Sequence, residues 1–432
     1  MRKIKLQLVI ITRIIFMAIC KILYDIQIIL LLPEDYFLGV SFNKDFNFAL
    51  YAFGWLVFLV FSLILSKLVY KINFSSVVFI SLFLFDFLPN ISMIGLNKIS
   101  FGFLFNYIAY WSIYFVIFNY IYYLNIYIKR FSVKRSKLLF LFLLLLLSFV
   151  EIIFVYKYNH FKVSFRLQDV YIFRAAALKI PPVISWLKVP LGTLVFPFLA
   201  TYCLCRKRIF IYIFLLINEI LLFSIGMDKG YLFNFAIGSA CGFLKLDSKF
   251  FIIKISALLA LGFFISLLEY CILGSNSIFY LIIRRLLFLP AWLNNVYYDF
   301  FQNNPKFFLS DNVFLISRFL PKVYTENYLN LLNKEKFYGL VPAPNTGTFG
   351  ISYMQLGVFG NIIQPFIHSL WSKIGDYFFE GYSNNEKVCI GIIVSMAILN
   401  ISIVSRHSFF LYTISFILFY LLGYSNLRKK RD

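Results

Sequence analysis

Ile282-Ile283-Arg284-Arg285-Leu286-Leu287-Phe288-Leu289-Pro290 lies inside a long polar interruption, Cys271 to Gly350, and its reading organises the chain around it. Elsewhere one apolar run follows another, each about 20 residues long, the length that spans ~30 Å of hydrocarbon at roughly 1.5 Å per residue. Paired arginines, Asp299, Asp311 and many asparagines in such a chain call for a reason. The interruption is read as an active-site loop, residues 271–350.

The composition excludes most protein classes. Of 432 residues, 61% are hydrophobic and only 14% charged, with a mean hydropathy of +0.83. No soluble globule presents such a surface. The expected fold is an all-α polytopic membrane protein forming a single membrane domain. The formal charge of +22 does not indicate nucleic acid, because the cations sit in short connections between apolar runs, as in any multi-span protein. Of the six cysteines, only Cys271 reaches an exterior loop, so no disulfide framework is implied. Met1-Arg2-Lys3-Ile4-Lys5 leads into an apolar run that continues past Leu30 without a small-residue cleavage site, and is read as the start of a first span.

Spans are expected near 8–32, 47–66, 74–96, 101–128, 138–157, 187–205, 209–226, 230–246, 250–270, 351–372, 388–404 and 408–426, about twelve in all. Alternate connections hold the cations: Arg2, Lys3 and Lys5; Lys67 and Lys71; Lys129, Arg130, Lys134, Arg135 and Lys137; Arg206, Lys207 and Arg208; Lys245 and Lys249; and Arg428 to Arg431. Those connections belong in the cytoplasm, and both termini with them. The intervening short loops hold only Lys44, Lys98, Lys229 and Arg406.

Two outer loops are long. Residues 157–188 carry Arg166, Asp169 and Arg174 among aromatic residues, and as a helix would set the two guanidinium groups on roughly one side. An interfacial amphipathic helix has the same pattern. In the second loop, Arg284 and Arg285 are neighbours and differ by about 100° around a helix, so they cannot share one face. Arginine in apolar surroundings needs a partner, and the planar guanidinium matches phosphate oxygens in bidentate fashion. Pairing with Glu269, Asp299 or a lipid phosphate is the plainer alternative. Pro342-Ala343-Pro344-Asn345-Thr346-Gly347-Thr348-Phe349-Gly350 then opens a helix at whose N-terminus Asn345 and Thr346 could hold sugar hydroxyls or an anion, or simply cap it. The candidate carboxylates on the outer side are Asp169, Glu269, Asp299 and Asp311. Asp228 beside Lys229 equally suits a local ion pair.

In the order of its features the chain resembles the oligosaccharide repeat-unit polymerases, the Wzy-type O-antigen polymerases. The resemblance rests on Arg166 and Arg174, Gly226-Met227-Asp228-Lys229-Gly230, Arg284-Arg285 with Pro290 and Tyr298-Asp299-Phe300-Phe301, and Asn345-Thr346-Gly347 with Phe349-Gly350 before Gly357 and Gly360. It covers roughly residues 157–360. It implies a glycosyltransferase using lipid-linked donors (GT-C-like), which moves a growing glycan from undecaprenyl pyrophosphate onto a new lipid-linked repeat unit at the outer face of the bacterial inner membrane. It further implies that Arg166, Arg174, Arg284 and Arg285 are functional and that no metal or other cofactor takes part. Charge that builds on the departing pyrophosphate must be met by Arg or Lys and the acceptor hydroxyl needs a carboxylate, so Arg284, Arg285 and Asp299 are expected to be catalytic, with Asp299 as base, Arg166, Arg174, Lys229, Asn345 and Thr346 to bind substrate, and a chain-length regulator to be a partner. An O-antigen ligase would share the donor but use a histidine in the large loop, where none lies. A lipid-linked oligosaccharide flippase would need short connections and charges inside its spans, whereas the polar residues here are expected to gather in the two outer loops.

Overall fold

The computed structural model describes residues 2–32, 46–69, 72–96, 99–124, 137–163, 181, 188–244, 246, 250–310, 317, 319–326, 328–337, 347–380, 382–399 and 416. They form helices, with no strand among the described residues. In order these are α1 (Arg2–Leu31), α2 (Phe48–Leu68), α3 (Phe74–Leu82), α4 (Leu88–Met93), α5 (Phe101–Tyr123), α6 (Lys137–Asn159), α7 (Phe196–Cys205), α8 (Ile209–Ser224), α9 (Lys229–Leu244), α10 (Phe251–Leu273), α11 (Leu289–Asn303), α12 (Tyr328–Phe337), α13 (Thr348–Leu356), α14 (Gly360–Phe378) and α15 (Asn384–Leu399).

Six of the helical stretches are long and apolar enough to cross a membrane: Gln7–Leu31, Phe48–Leu68, Phe74–Met93, Phe101–Tyr123, Lys188–Cys205 and Phe251–Leu273. By length and composition this is a polytopic helical membrane protein. Ile209–Ser224 and Gly230–Leu244 are shorter apolar helices at the places expected for two more spans. The last expected span lies outside the described residues apart from Phe416.

Three π-helical segments interrupt the α-helices, at Phe83–Phe87, Leu191–Val195 and Phe279–Phe288, and each is followed by an α-helix with proline in its second position: Pro89, Pro197 and Pro290. Proline lacks an N–H and its ring crowds the carbonyl four residues back, so the ladder slips to the wider π spacing before it.

Contacts between helix ends fall into two sets. In one, Arg13 Nη1 donates to the carbonyls of Ser66 and Val69 (both 3.0 Å), Ser75 binds Asp376, Lys373 Nζ donates to Tyr122 O and Arg206 pairs with Glu386. In the other, Asn47 N–H donates to Gly95 O, Ser100 binds Asp299, Lys188 pairs with Asp228 and Asn159 binds Ser224. The first set joins ends that the cation pattern assigns to one side, and the second joins ends assigned to the other.

The interruption from Cys271 is itself largely helical. The π segment Phe279–Phe288 runs directly into α11, and Glu269 near the end of α10 holds its start by accepting from Ser275 Oγ, Ser277 N–H and Ile278 N–H at 2.8, 3.0 and 2.9 Å. The other end is tied to Ser100, at the start of α5. Both anchors belong to the second set of ends, while Asn294 between them reaches Asp86 within the third apolar stretch.

The single span expected at 351–372 is two helices. At Gly357 the backbone takes φ 60° and ψ −138°, a conformation open to glycine. Before this break, α13 is a short buried helix whose first residue bonds to Tyr110 in the middle of α5; after it, α14 runs back along α5, with Asn361 beside Asn106, His368 beside Tyr114 and Lys373 at Tyr122. Accordingly α13 is a half-helix that begins at mid-depth.

Candidate functional site

The half-helix starts where three separate segments meet. Gly347 is its N-cap residue and has no side chain to satisfy the first-turn amides. Asn294 of α11 does this from outside, its Oδ1 accepting from Gly350 N–H at 2.9 Å. The same amide donates through Nδ2 to Asp86 Oδ1 (3.3 Å) and Asn90 Oδ1 (3.4 Å). A Cβ on Gly347 would sit 2.7 Å from Asp86 Oδ1 and 3.0 Å from Asn294 Nδ2, so only glycine admits this arrangement. Thr348 Oγ1 lies 3.1 Å from Tyr110 OH. The Gly350 amide is thus capped from α11, while the sequence candidates for capping, Asn345 and Thr346, lie outside the described residues.

Asp86 sits in the π segment Phe83–Phe87 and is buried. Asn90 Nδ2 donates to its Oδ1 (3.3 Å) and to its backbone carbonyl (2.8 Å), Tyr107 OH donates to the same carbonyl (3.1 Å), and Asp86 Oδ2 has no partner among the described residues. A carboxylate at this depth beside the positive end of a helix is a place where chemistry or binding is expected. Sequence reasoning passed over it, although a lone Asp in the run Leu84-Phe85-Asp86-Phe87-Leu88 was a visible signal.

Asp299 is half-buried at the outer end of α11. Ser100 Oγ donates to its Oδ1 at 2.7 Å and Asn295 Nδ2 to its Oδ2 at 3.1 Å. Ser100 also accepts from Phe103 N–H as the N-cap of α5. Next to it, Tyr298 OH receives a hydrogen bond from Asn106 (3.2 Å) and its ring packs on Tyr353 at 4.6 Å.

The arginine pair is split as the helical angle requires: Arg284 is 6% exposed and Arg285 faces outward. The Arg284 guanidinium lies over the Tyr280 ring, 5.0 Å from its centroid. Burial pushes its pKa below the ordinary arginine value, Tyr280 opposes that shift and the neighbouring Arg285 adds to it. Arg284 and Asp299 share one continuous helix fifteen residues apart, roughly 20 Å along its axis. Even extended side chains do not close that gap, and the two residues mark two positions along the helix.

Asp228 pairs with Lys188 at 2.8 Å, and Lys188 also donates to Ile225 O. Lys229 starts α9, and its side chain lies outside what is described. Arg166, Arg174, Asn345 and Thr346, with the carboxylates Asp169 and Asp311, lie outside the described residues. Glu269 is occupied in holding the Ser277 turn. The expectation that charges gather in the two outer loops is also corrected: Arg13, Lys21, Asp25, Asp86, Glu151 and Glu219 are all buried inside apolar helices. Lys21 and Asp25 form an ion pair of 2.7 Å, with Tyr51 OH donating to Asp25 (2.9 Å) and the Lys21 ammonium 4.5 Å from the Trp55 ring centre.

No protein-family model, curated protein or solved structure matches this chain.

Proposed function

We propose that the protein is a polymerase of lipid-linked oligosaccharide repeat units, acting at the outer face of a bacterial inner membrane with about twelve spans, a GT-C-like architecture and both termini in the cytoplasm. The observation that carries this reading is the convergence at Asn294: a helix tied at both ends to one side of the bundle, a half-helix opening at mid-depth and the Asp86 turn meet through one side chain. Half-helices that point their N-termini into a membrane domain hold anionic groups in other membrane proteins.

The separation of Arg284 from Asp299 assigns them different parts of one substrate. Arg284 grips the pyrophosphate of the incoming lipid-linked repeat unit. The sugars lie along α11, and Asp299, held by Ser100 and Asn295, receives the proton of the hydroxyl at their far end. That oxygen attacks the anomeric carbon of the second, growing chain. The bond from carbon to phosphate oxygen breaks, and undecaprenyl pyrophosphate leaves with the electron pair. Arg166 and Arg174 are assigned to that leaving group, whose charge must be met as it forms. Undecaprenyl-pyrophosphate-linked oligosaccharides are thus both substrates, Asn345 and Thr346 contact their sugars, and a chain-length regulator is the protein partner.

A lipid-linked oligosaccharide flippase is the second reading, favoured by the charges buried within the spans. A gel of surface glycan from cells lacking the protein separates the two: caps of one repeat unit support the polymerase, whereas bare core supports the flippase.

A further inference from the structure

Helix α6 packs on the rest of the molecule along a single stripe. Leu144, Ser148, Glu151, Val155 and Asn159 are buried, at spacings of four, three, four and four, while Phe142, Leu145, Phe149, Ile152 and Tyr156 around them are exposed. The opposing stripe on α8 is Leu215, Asn218, Glu219 and Leu222, also buried. The two helices run parallel: Asn159 Nδ2 donates to Ser224 Oγ at 2.8 Å near their ends, and Glu151 lies against the Leu222 backbone deeper in the seam.

Glu151 and Glu219 are both 0% exposed. Apart from the contact of Glu151 with the Leu222 backbone, their carboxylate oxygens have no hydrogen-bond partner among the described residues, and neither residue has an ion pair there. Two neutral oxygens in the same stripes are equally unpartnered: Ser148 Oγ, one turn before Glu151 on its face, and Asn218 Oδ1, whose amide nitrogen is spent on Phe214 O at 2.8 Å. Among the described residues no cation stands nearby to compensate. Lys157 is exposed at the end of α6, beside Tyr158; Lys188 is taken by Asp228 and Arg206 by Glu386; α7 and α9, packed on α8, carry no charged residue beyond the first position of α9. Two neighbouring carboxylates in an apolar interior, with an unpartnered hydroxyl and an unpartnered amide oxygen in the same stripes, form a set rich in acceptors and without a cation. Such a set is stable only when something positive occupies it.

We propose that the seam between α6 and α8 is a binding site for one monovalent cation, a proton or an alkali-metal ion, held between Glu151 and Glu219 with Ser148 and Asn218 as neutral oxygen ligands. Hard oxygen donors suit either occupant. The site stands apart from the Asn294 convergence, and α6 leads directly into the outer segment that carries Arg166 and Arg174.

The test uses the full chain in nanodiscs and the apolar carboxyl reagent dicyclohexylcarbodiimide, which modifies protonated, membrane-buried carboxyl groups, with modified peptides read by mass spectrometry. Labelling is measured from acidic to alkaline buffer, in choline chloride, sodium chloride and potassium chloride at equal ionic strength. We expect label on Glu151 or Glu219 of the unaltered chain and its loss in E151Q/E219Q. Label that is lost as pH rises regardless of salt assigns the proton. Label lost in sodium or potassium but kept in choline assigns the alkali ion. Label that changes with neither pH nor salt shows a permanently neutral pair and overturns the proposal, as does the absence of label on both residues under every condition.

Discussion

Replacing Asn294 with alanine tests the junction on which the candidate site depends. The side chain is fully buried, so nothing in water can take its place. Its loss removes the acceptor for Gly350 N–H, a helix cap whose deletion costs typically ~1 kcal/mol. It also strips Asn90 Oδ1 of the donor at 3.4 Å, and an orphaned buried acceptor costs about 1–3 kcal/mol. Asp86 Oδ1 keeps Asn90 Nδ2 and adds little. The expected total is roughly 2–4 kcal/mol. Asn294→Asp keeps an acceptor for Gly350 but sets a second carboxylate on Asp86, and should cost more than alanine. Unfolding in mixed detergent micelles gives the global loss, and hydrogen exchange of the Gly347–Ser352 peptide reports the cap directly. If Asn294→Ala changed stability by less than ~0.5 kcal/mol and left exchange at Gly350 protected, the cap from α11 would not exist in solution and the convergence would lose its basis.

Arg284→Ala should reduce the glycan ladder to single repeats, whereas Arg285→Ala, which removes an outward-facing side chain, should leave it nearly intact; equal loss in both would undo the assignment of the pyrophosphate to Arg284. Asp299→Asn should abolish chain growth in membranes while lipid-linked substrate still binds, and Ser100→Ala, which removes one of the two hydrogen bonds to the carboxylate, should give a partial defect in turnover; full activity of Asp299→Asn would rule it out as the proton acceptor. Lys21→Met or Asp25→Leu alone should cost about 3–5 kcal/mol, because each leaves a buried charge without its partner, and the double variant should recover most of that loss; additive losses in micelle unfolding would show that the pair is not the unit of stability.

The long apolar helices were legible because one crossing has a fixed length and composition: Phe48–Leu68 and Phe251–Leu273 fall where the runs of Leu, Ile and Phe put them. The opposite fates of Arg284 and Arg285 followed from helical angle alone. Other features needed the third dimension. Hydropathy averages over a window, so the break at Gly357 and the half-helix before it merged into one expected span. The same averaging hid Asp86 and the acidic pair on α6 and α8, since a single carboxylate hardly lowers the mean of twenty apolar residues. Charge complementarity in sequence favours near neighbours, so the pairing of Asp228 with Lys188, forty residues away, was not legible. The distance between Arg284 and Asp299 was implicit in the numbering, but only continuity of the helix through Pro290 makes it binding.

The prolines that follow the π segments carry a consequence for how such a chain can vary. A π turn is a helix with one residue too many, so everything before it is rotated by about one position relative to everything after. Asp86 and Arg284 both lie within such turns. Pro89 and Pro290 therefore act as phase setters: they decide toward which neighbour each charge is dialled. Replacing one of these prolines should misdirect the charge, and deleting a single residue upstream in the same turn should bring it back into phase.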